Sequence, residues 1–212
     1  MTAPDHAAAV NALADRFWEG LLEESPLTAT IYGDDRYDDR LPDISATGRA
    51  RARTLREATI TELAAIPVEG LPTEERITHD MLRVVCELGI RADDLRMDVI
   101  ASVDQMDGPQ TLLSQLVQVQ RADTPERLEK LLARYAAFPA FIDDAIEIME
   151  EGRADGSTAA RLVADRVIAQ AERLLAVPAA ESALVRIPRL DPGAEAAGRT
   201  RLEAAVERDV RP

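Results

Sequence analysis

The sequence predicts an all-α fold, an irregular array of about seven or eight helices. Apolar residues make up 46% of the 212 positions, but aromatic residues only 3%, so the core must consist mainly of Leu, Ile, Val and Ala. Such a core favours the packing of helix on helix. Apolar side chains recur at helical spacing along most of the chain, and Pro and Gly separate the periodic stretches. No alternating pattern typical of a β-strand is found.

Three long helices are predicted in the first half of the chain. The first covers residues 5–24, where Val10, Leu13 and Phe17 recur on one face. A short helical turn at residues 27–32 and a charged loop follow. The second long helix is predicted from Ala46 to before Pro67, with arginines at 49, 51, 53 and 56 outward, and the third runs from residue 72 toward 95. The core face predicted for this third helix comprises Ile77, Met81, Val84, Val85 and Leu88.

The second half of the chain is predicted to contain four further helical stretches. One covers residues 110–120, after a turn at Asp107-Gly108-Pro109. The next begins at Thr124-Pro125, a capping residue followed by proline, and Pro139 is expected to kink or split it before Gly152. The last two are predicted to start near Ser157 and Gly193, and to end near Val177 and Val210. The long helices fix the fold class as all-α.

The charge and the cysteine content narrow the class of protein. The net charge of −14 repels phosphate backbones and anionic lipids, so neither nucleic acid nor a membrane is an expected partner. No apolar run is long enough to span a bilayer, and no signal peptide is recognised at the start. The single cysteine, Cys86, forms no internal disulfide. A cytoplasmic location is therefore predicted.

The residues that could form a metal or catalytic site are few. A hydrolytic zinc ion needs about three protein ligands at defined spacing, but His6 and His79 are the only histidines. Glu75 lies one helical turn before His79 and would supply a second ligand, with nothing to complete the set. Cys86 lies two turns after His79, too far for a nucleophile and its base. Neither a catalytic nor a metal site is expected in this sequence.

The most unusual stretch is the charged loop at residues 33–43, which contains four clustered aspartates: Asp34, Asp35, Asp38 and Asp39. Clustered carboxylates suit calcium, but the alternating ligand spacing of a calcium loop is missing, and Arg36 and Arg40 would compensate the charge. Two other roles stay open. The loop could be a salt-bridged structural element packed by Tyr32, Tyr37 and Leu41, or it could face a substrate.

Several strings of residues, taken in order, resemble the bacterial domain-of-unknown-function 885 family. The most specific is Asp35-Arg36-Tyr37-Asp38-Asp39-Arg40-Leu41-Pro42-Asp43. The others are Phe17-Trp18-Glu19, Pro26-Leu-Thr-Ala-Thr-Ile-Tyr-Gly33, Thr78-His-Asp80-Met-Leu82-Arg83, Asp104-Gln105-Met106-Asp107-Gly108-Pro109-Gln110, and Tyr135 with Phe138-Pro139 through Gly152 and Gly156. Together they extend the resemblance over nearly the whole sequence.

The resemblance implies a long helical protein similar to zinc-dependent peptidases of the helical carboxypeptidase type. In those proteins an H-E-x-x-H motif and a downstream glutamate, both in the C-terminal half, bind the metal. Neither has a counterpart in this sequence. The chain is accordingly expected to be one helical domain, residues 1–212, that forms the N-terminal part of a larger fold. It would form a wall of the substrate channel and would have no catalytic activity by itself. Zinc is expected only in a full-length relative.

The residues expected to line this channel come from the charged loop and the central turn: Asp35, Arg36, Tyr37, Asp39, Arg40, Gln105 and Gln110. The arginines would hold a peptide carboxylate through paired hydrogen bonds, although the same residues would serve equally as internal braces. The expected partners are a peptide substrate or the missing C-terminal half. The alternative is a free-standing helical protein-interaction module, whose exposed apolar faces would also support a homo-oligomer.

Overall fold

A computed structural model describes residues 3–187, 190 and 195–211, and every regular element in these residues is helical. The all-α prediction is therefore confirmed. Nine α-helices are described, of which α2 and α5 have only seven and four residues. They are α1 (Ala3–Glu24), α2 (Pro26–Tyr32), α3 (Ala46–Ala64), α4 (Thr73–Asp94), α5 (Met97–Ile100), α6 (Leu112–Val119), α7 (Pro125–Asp155), α8 (Arg161–Ala176) and α9 (Glu195–Ala205). No described helix is both long and apolar enough to cross a membrane.

The chain divides into two compact units. The first unit comprises residues 1–24 and 45–97, and the second comprises residues 25–44 and 98–212. In the first unit, α1, α3 and α4 pack together around a small core. Its buried members are Leu13, Phe17, Leu63, Leu82 and Cys86.

Arg51, Arg53 and Arg56 of α3 reach the surface, as predicted, and tie this helix to its neighbours in the first unit, whereas the Nε atom of Arg49 is buried. Ser45 caps the start of α3, where the Gly48 amide donates to its hydroxyl at 3.2 Å. The ion pairs of the arginines are Arg51 with Glu24 at 2.6 Å, Arg53 with Glu57 at 2.7 Å and Asp94 at 2.8 Å, and Arg56 with Asp93 at 2.9 Å. Because these pairs lie at the surface, each adds little to stability.

The predicted core face of α4 is wrong. The helix buries His79, Leu82 and Cys86, on a different face. The stripe that was expected inside, Ile77, Met81, Val84, Val85 and Leu88, is between 45% and 61% exposed. Apolar side chains lie on two faces of α4. The face that α1 and α3 cover is the one that has fewer of them.

The core of the second unit is built around α7. Leu131, Tyr135, Phe138 and Phe141 are buried on one face of this helix, and α9 and the residues that follow it pack there. The start is as predicted, because Thr124 caps the helix and accepts the Arg127 amide at 3.2 Å. The helix is not split at Pro139, although proline donates no hydrogen bond to the Tyr135 carbonyl. Burial of the flanking aromatic rings holds the helix together across this position.

The last two helices differ in their bounds from the prediction. α8 begins at Arg161, because Ser157 belongs to a turn in which its amide donates to the Asp155 carboxylate at 3.0 Å. The expected start of the final helix at Gly193 lies outside the described residues. α9 ends at Ala205, and a π-helical turn, Val206–Val210, continues it.

Candidate functional site

The charged loop, residues 33–43, begins where α2 ends. Gly33 closes α2 with a φ of 85°, a left-handed conformation that glycine adopts without strain, and its amide donates to the Thr30 carbonyl at 3.1 Å. A single 3₁₀ turn follows at Asp35–Tyr37. The Asp34 carboxylate caps this turn by accepting the Arg36 amide at 3.1 Å. Local hydrogen bonds thus set the path of the loop at its start.

Arg134 of α7 holds the loop from inside the second unit. Its side chain is 0% exposed, and it is among the largest fully buried side chains described. Its Nε donates to the Arg40 carbonyl at 2.7 Å, and Nη2 donates to the Tyr37 carbonyl at 3.0 Å. Toward α2, Nη2 also reaches the Thr30 hydroxyl at 2.9 Å and the Pro26 carbonyl at 3.2 Å. One guanidinium therefore joins the loop, α2 and α7.

The buried charge of Arg134 is balanced by Asp38. The guanidinium lies 3.8 Å from the Asp38 carboxylate, which also accepts the Thr30 hydroxyl at 2.5 Å. Burial lowers the pKa of Arg134 to about 10, while the charge of Asp38 opposes this shift. Arg134 is still protonated at neutral pH, so all its N–H groups remain donors.

Two further side chains fix the main chain of the loop. Gln120 accepts from Arg134 Nη1 at 2.8 Å and donates its own amide to the Asp38 carbonyl at 2.9 Å. Lys130 Nζ donates to the Asp35 carbonyl at 2.7 Å. Arg134, Gln120 and Lys130 together are called the brace below. Within the loop they donate to main-chain oxygens, and Asp38 is the loop carboxylate that lies beside Arg134. The other charged side chains of the loop therefore stay outside the core.

The side chains expected to face a substrate lie on the outer side of this brace. The guanidinium groups of Arg36 and Arg40 stand 5.3 and 5.2 Å from the centre of the Tyr37 ring. Asp39 lies 3.7 Å from Arg40, and Asp35 lies 3.6 Å from Arg127. The four charged side chains that were expected to line the channel here, at 35, 36, 39 and 40, are about half exposed. The expected packing by Tyr32 is wrong, since Tyr32 is 70% exposed, whereas Leu41 packs against the core.

A polar pocket of about 300 Å³ adjoins the loop. Its charged lining residues are Asp34, Asp35, Asp38, Arg121 and Arg127. Hydrogen bonds from Arg36 hold the pKa of Asp34 below its ordinary value. Two lining residues, Arg121 and Arg127, also donate hydrogen bonds to Asp123 outside the pocket and lower its pKa to about 2. Asp34 is ionised at neutral pH and the two arginines are cations, so the pocket presents charges of both signs.

The two glutamines of the central turn lie at other pockets. The Asp104 carboxylate organises the turn by accepting the Met106 and Asp107 amides at 2.7 and 2.9 Å. Gln110 donates to the Asp104 carbonyl at 2.7 Å and to Gln170 Oε1 at 3.1 Å, and it lines an apolar cavity. Gln105 lines a separate polar pocket of about 360 Å³ with Arg166, Gln170 and Arg173 of α8. The structure therefore does not bring the seven expected residues into one pocket.

The described residues do not fit a hydrolytic zinc ion. They contain no cluster of three or more His, Cys, Asp or Glu side chains that could hold a metal. The Nδ1 atom of His79 lies 3.3 Å from the Asp80 carboxylate, and Glu75 accepts a hydrogen bond from Asn11 at 3.3 Å. Burial raises the pKa of the Cys86 thiol, which disfavours the thiolate that binds metals.

The four aspartates of the charged loop do not converge on one point either. Each lies beside a different cation: Asp34 beside Arg36, Asp35 beside Arg127, Asp38 beside Arg134 and Asp39 beside Arg40. The expected compensation by Arg36 and Arg40 is thus present in the structure.

The residues that sequence analysis missed are those of the brace: Arg134, Gln120 and Lys130. The sequence did contain a signal for Arg134. It lies four residues before Phe138 and seven before Phe141, which places a guanidinium on the apolar face of α7. An arginine at such a position must be paired or hydrogen-bonded inside the protein.

Comparison with known proteins gives a family and no function. No curated protein matches the chain. A family model described as a bacterial protein of unknown function, DUF885, matches residues 26–212, a range that includes the charged loop, the Arg134 brace and the central turn. The match covers far more than half of the sequence, and the chain therefore belongs to the bacterial DUF885 family.

Proposed function

We propose that this chain forms a substrate-facing wall of a zinc metallopeptidase-like helical protein, with the charged loop as its recognition surface for peptides. The zinc ligands of such peptidases have no counterpart in this sequence, so the chain would bind substrate and perform no hydrolysis itself. The observation that carries the proposal is the Arg134 brace. It fixes the main chain of the loop and leaves Arg36 and Arg40 facing outward.

The chemistry of the loop suits the termini of a short peptide. Arginine binds a carboxylate through two parallel hydrogen bonds, and Arg36 and Arg40 flank one ring from positions four residues apart. The pocket beside them is lined by Asp34 and Asp35, whose carboxylate oxygens can accept hydrogen bonds from an ammonium group in competition with their arginine partners. A surface whose backbone is already fixed loses less conformational entropy on binding than a mobile loop would.

A titration of the labelled chain with trialanine tests this proposal. We expect saturable shifts of amide resonances within residues 33–43, because the peptide carries both terminal charges. Trialanine with an acetylated amino end and an amidated carboxyl end should bind much more weakly. Replacing both Arg36 and Arg40 with Ala should weaken binding about tenfold, the equivalent of about 1.4 kcal/mol.

Arg153→Ala is the matched control, because Arg153 is an exposed arginine of α7 that is paired with Glu150 and lies outside the loop. It should bind trialanine like the unmodified chain. The proposal fails if no resonance of the loop shifts on saturation, or if the double variant binds as tightly as the unmodified chain while retaining its melting temperature.

A second candidate function, a helical protein-interaction module, is favoured by α4. Ile77, Met81, Val84 and Leu88 follow one another at spacings of four, three and four residues, which is the pattern of a helix-pairing seam. These side chains are exposed. A second copy of the chain could cover the stripe by pairing α4 with α4.

The oligomeric state in solution tests this candidate. Light scattering coupled to size exclusion should show a dimer that Met81→Glu dissociates, because a charge in an apolar seam is desolvated at a cost. Glu87→Gln, on the same helix outside the seam, should leave the dimer intact. A monomer at every concentration would rule out self-association through this face.

A further inference from the structure

The second unit contains an apolar cavity of about 320 Å³, in which neither the charged loop nor its pocket takes part. Its walls come from α6, α7, α8 and the chain segments on either side of α9. The apolar lining residues on which the argument depends are Leu113, Phe138, Ile142, Leu174, Leu184 and Val206. The cavity is partly open to solvent and lies against core residues of this unit, Leu113, Phe138, Leu184 and Val206.

Four polar residues line the cavity, namely Gln110, Ser114, Ser182 and Arg211, and in the described part of the chain the side chains of all but Ser114 hydrogen-bond to the protein. Arg211 donates its two terminal nitrogens to the carbonyls of Val177, at 2.7 Å, and Leu175. The Gln110 amide group is held by Asp104 and Gln170. The Ser182 hydroxyl accepts the Leu184 amide at 3.2 Å. Arg211 supplies the charge among these lining residues, and because its two terminal nitrogens already donate to main-chain carbonyls, a charged ligand would have to compete with these bonds.

The volume limits the size of the molecule that fits. An apolar cavity of about 150 Å³ stays dry and binds benzene, and small-molecule sites in general begin near 300 Å³. The cavity therefore suits a compact ligand of roughly twice the size of benzene. One wall also offers a route of entry, because α8 has no buried residue and is the least tightly packed helix around the cavity.

We propose that this cavity is a binding site for a compact, uncharged apolar molecule, aromatic or branched aliphatic. The ligand fills the space between α6, α7 and α8 and gains its affinity from burial of apolar surface. Phe138 and Ile142 line the cavity from α7, and Leu174 lines it from α8.

Calorimetric titration with indole tests the proposal, since indole is compact, uncharged and mostly apolar. We expect one saturable site and a rise in melting temperature with indole concentration. Tryptophan, which carries the same ring with two charges, should bind at least about tenfold more weakly because its charges would be desolvated.

Variants that fill the cavity locate the site. Ala171→Phe places a ring in the cavity and should reduce indole affinity at least about tenfold. Ala169→Phe is the matched control, because Ala169 lies on the same helix and lines the polar pocket of Gln105 instead. Ser114→Leu fills the cavity from α6 and provides a second test if Ala171→Phe does not fold.

The proposal is overturned by any of three results. Indole shows no saturable binding to the unmodified chain, tryptophan binds as tightly as indole, or the folded filling variants retain full indole affinity. The last result would place the bound indole elsewhere, for instance on the exposed stripe of α4.

Discussion

The α3 helix of the first unit and the Arg134 brace of the second use arginine in opposite surroundings. Arg51, Arg53 and Arg56 of α3 lie at the surface, and each pairs with a carboxylate of its own or a neighbouring helix. Arg134 is fully buried and donates mainly to main-chain carbonyls and neutral side chains, with one carboxylate at 3.8 Å. The comparison shows that a buried guanidinium can set the course of a loop, whereas exposed ion pairs connect helices that already pack through their apolar faces.

The largest effect is expected from Arg134→Met. The substitution removes every hydrogen bond that Arg134 donates and takes from the buried Asp38 carboxylate the cation that lies 3.8 Å away. We expect the free energy of unfolding to fall by about 3–5 kcal/mol, as for other broken buried ion pairs. Urea denaturation measures it, with Arg153→Met at an exposed position of the same helix as the control. A loss below about 1 kcal/mol would make the brace no stronger than a surface pair.

A smaller effect is expected from Tyr135→Phe, beside Arg134 on α7. Burial raises the pKa of Tyr135 far above its ordinary value, so its hydroxyl stays protonated and donates to the Leu184 carbonyl at 2.8 Å. Its removal leaves a buried carbonyl without this donor, which costs about 1–3 kcal/mol. The same urea experiment measures the change. An unchanged midpoint would show that this carbonyl finds another donor.

In the first unit, Arg53→Gln is expected to reduce stability only slightly, although Arg53 pairs with both Glu57 and Asp94, because pairs at the surface contribute little. Salt screens exposed charges, so the difference from the unmodified chain should shrink as sodium chloride is added. Thermal melts at low and high salt measure it. A difference independent of salt would mean that Arg53 acts through packing of its hydrocarbon chain.

A small effect that depends on pH is expected from Asp123→Asn, because Asp123 pairs at the surface with Arg121 and Arg127 of the charged-loop pocket. The pKa of Asp123 is about 2 in the folded state, below the ordinary value of 3.8. Its contribution to stability is therefore complete above the ordinary value and is lost as the pH falls toward 2. The unmodified chain should lose more stability than the variant between these limits, as measured by urea denaturation at several pH values. Parallel pH profiles would contradict this assignment.

The sequence predicted features that depend on neighbouring residues. The start of α7 at Thr124-Pro125 and the outward arginines of α3 follow from capping and from helical periodicity. The charged loop could also be identified from the sequence as unusual, because its charged residues are neighbours in the chain.

Features that depend on distant residues could not be predicted in this way. Periodicity finds an apolar stripe on α4, but only tertiary packing decides which of two faces α1 and α3 cover. The brace likewise depends on where α7 lies relative to α2. The presence of Arg134 on an apolar face signalled a buried partner, but the sequence did not indicate which carbonyls it would reach.

The partners of Arg134 also have a consequence for the order of folding. The carbonyls of Pro26, Tyr37 and Arg40 lie between 94 and 108 positions before it in the chain. Contacts of such separation form late, because the entropy lost in closing the intervening chain must be offset first. We expect the residues between Gly33 and Asp43 to become protected from hydrogen exchange only after α7 has docked, so that the charged loop is completed in the final step of folding.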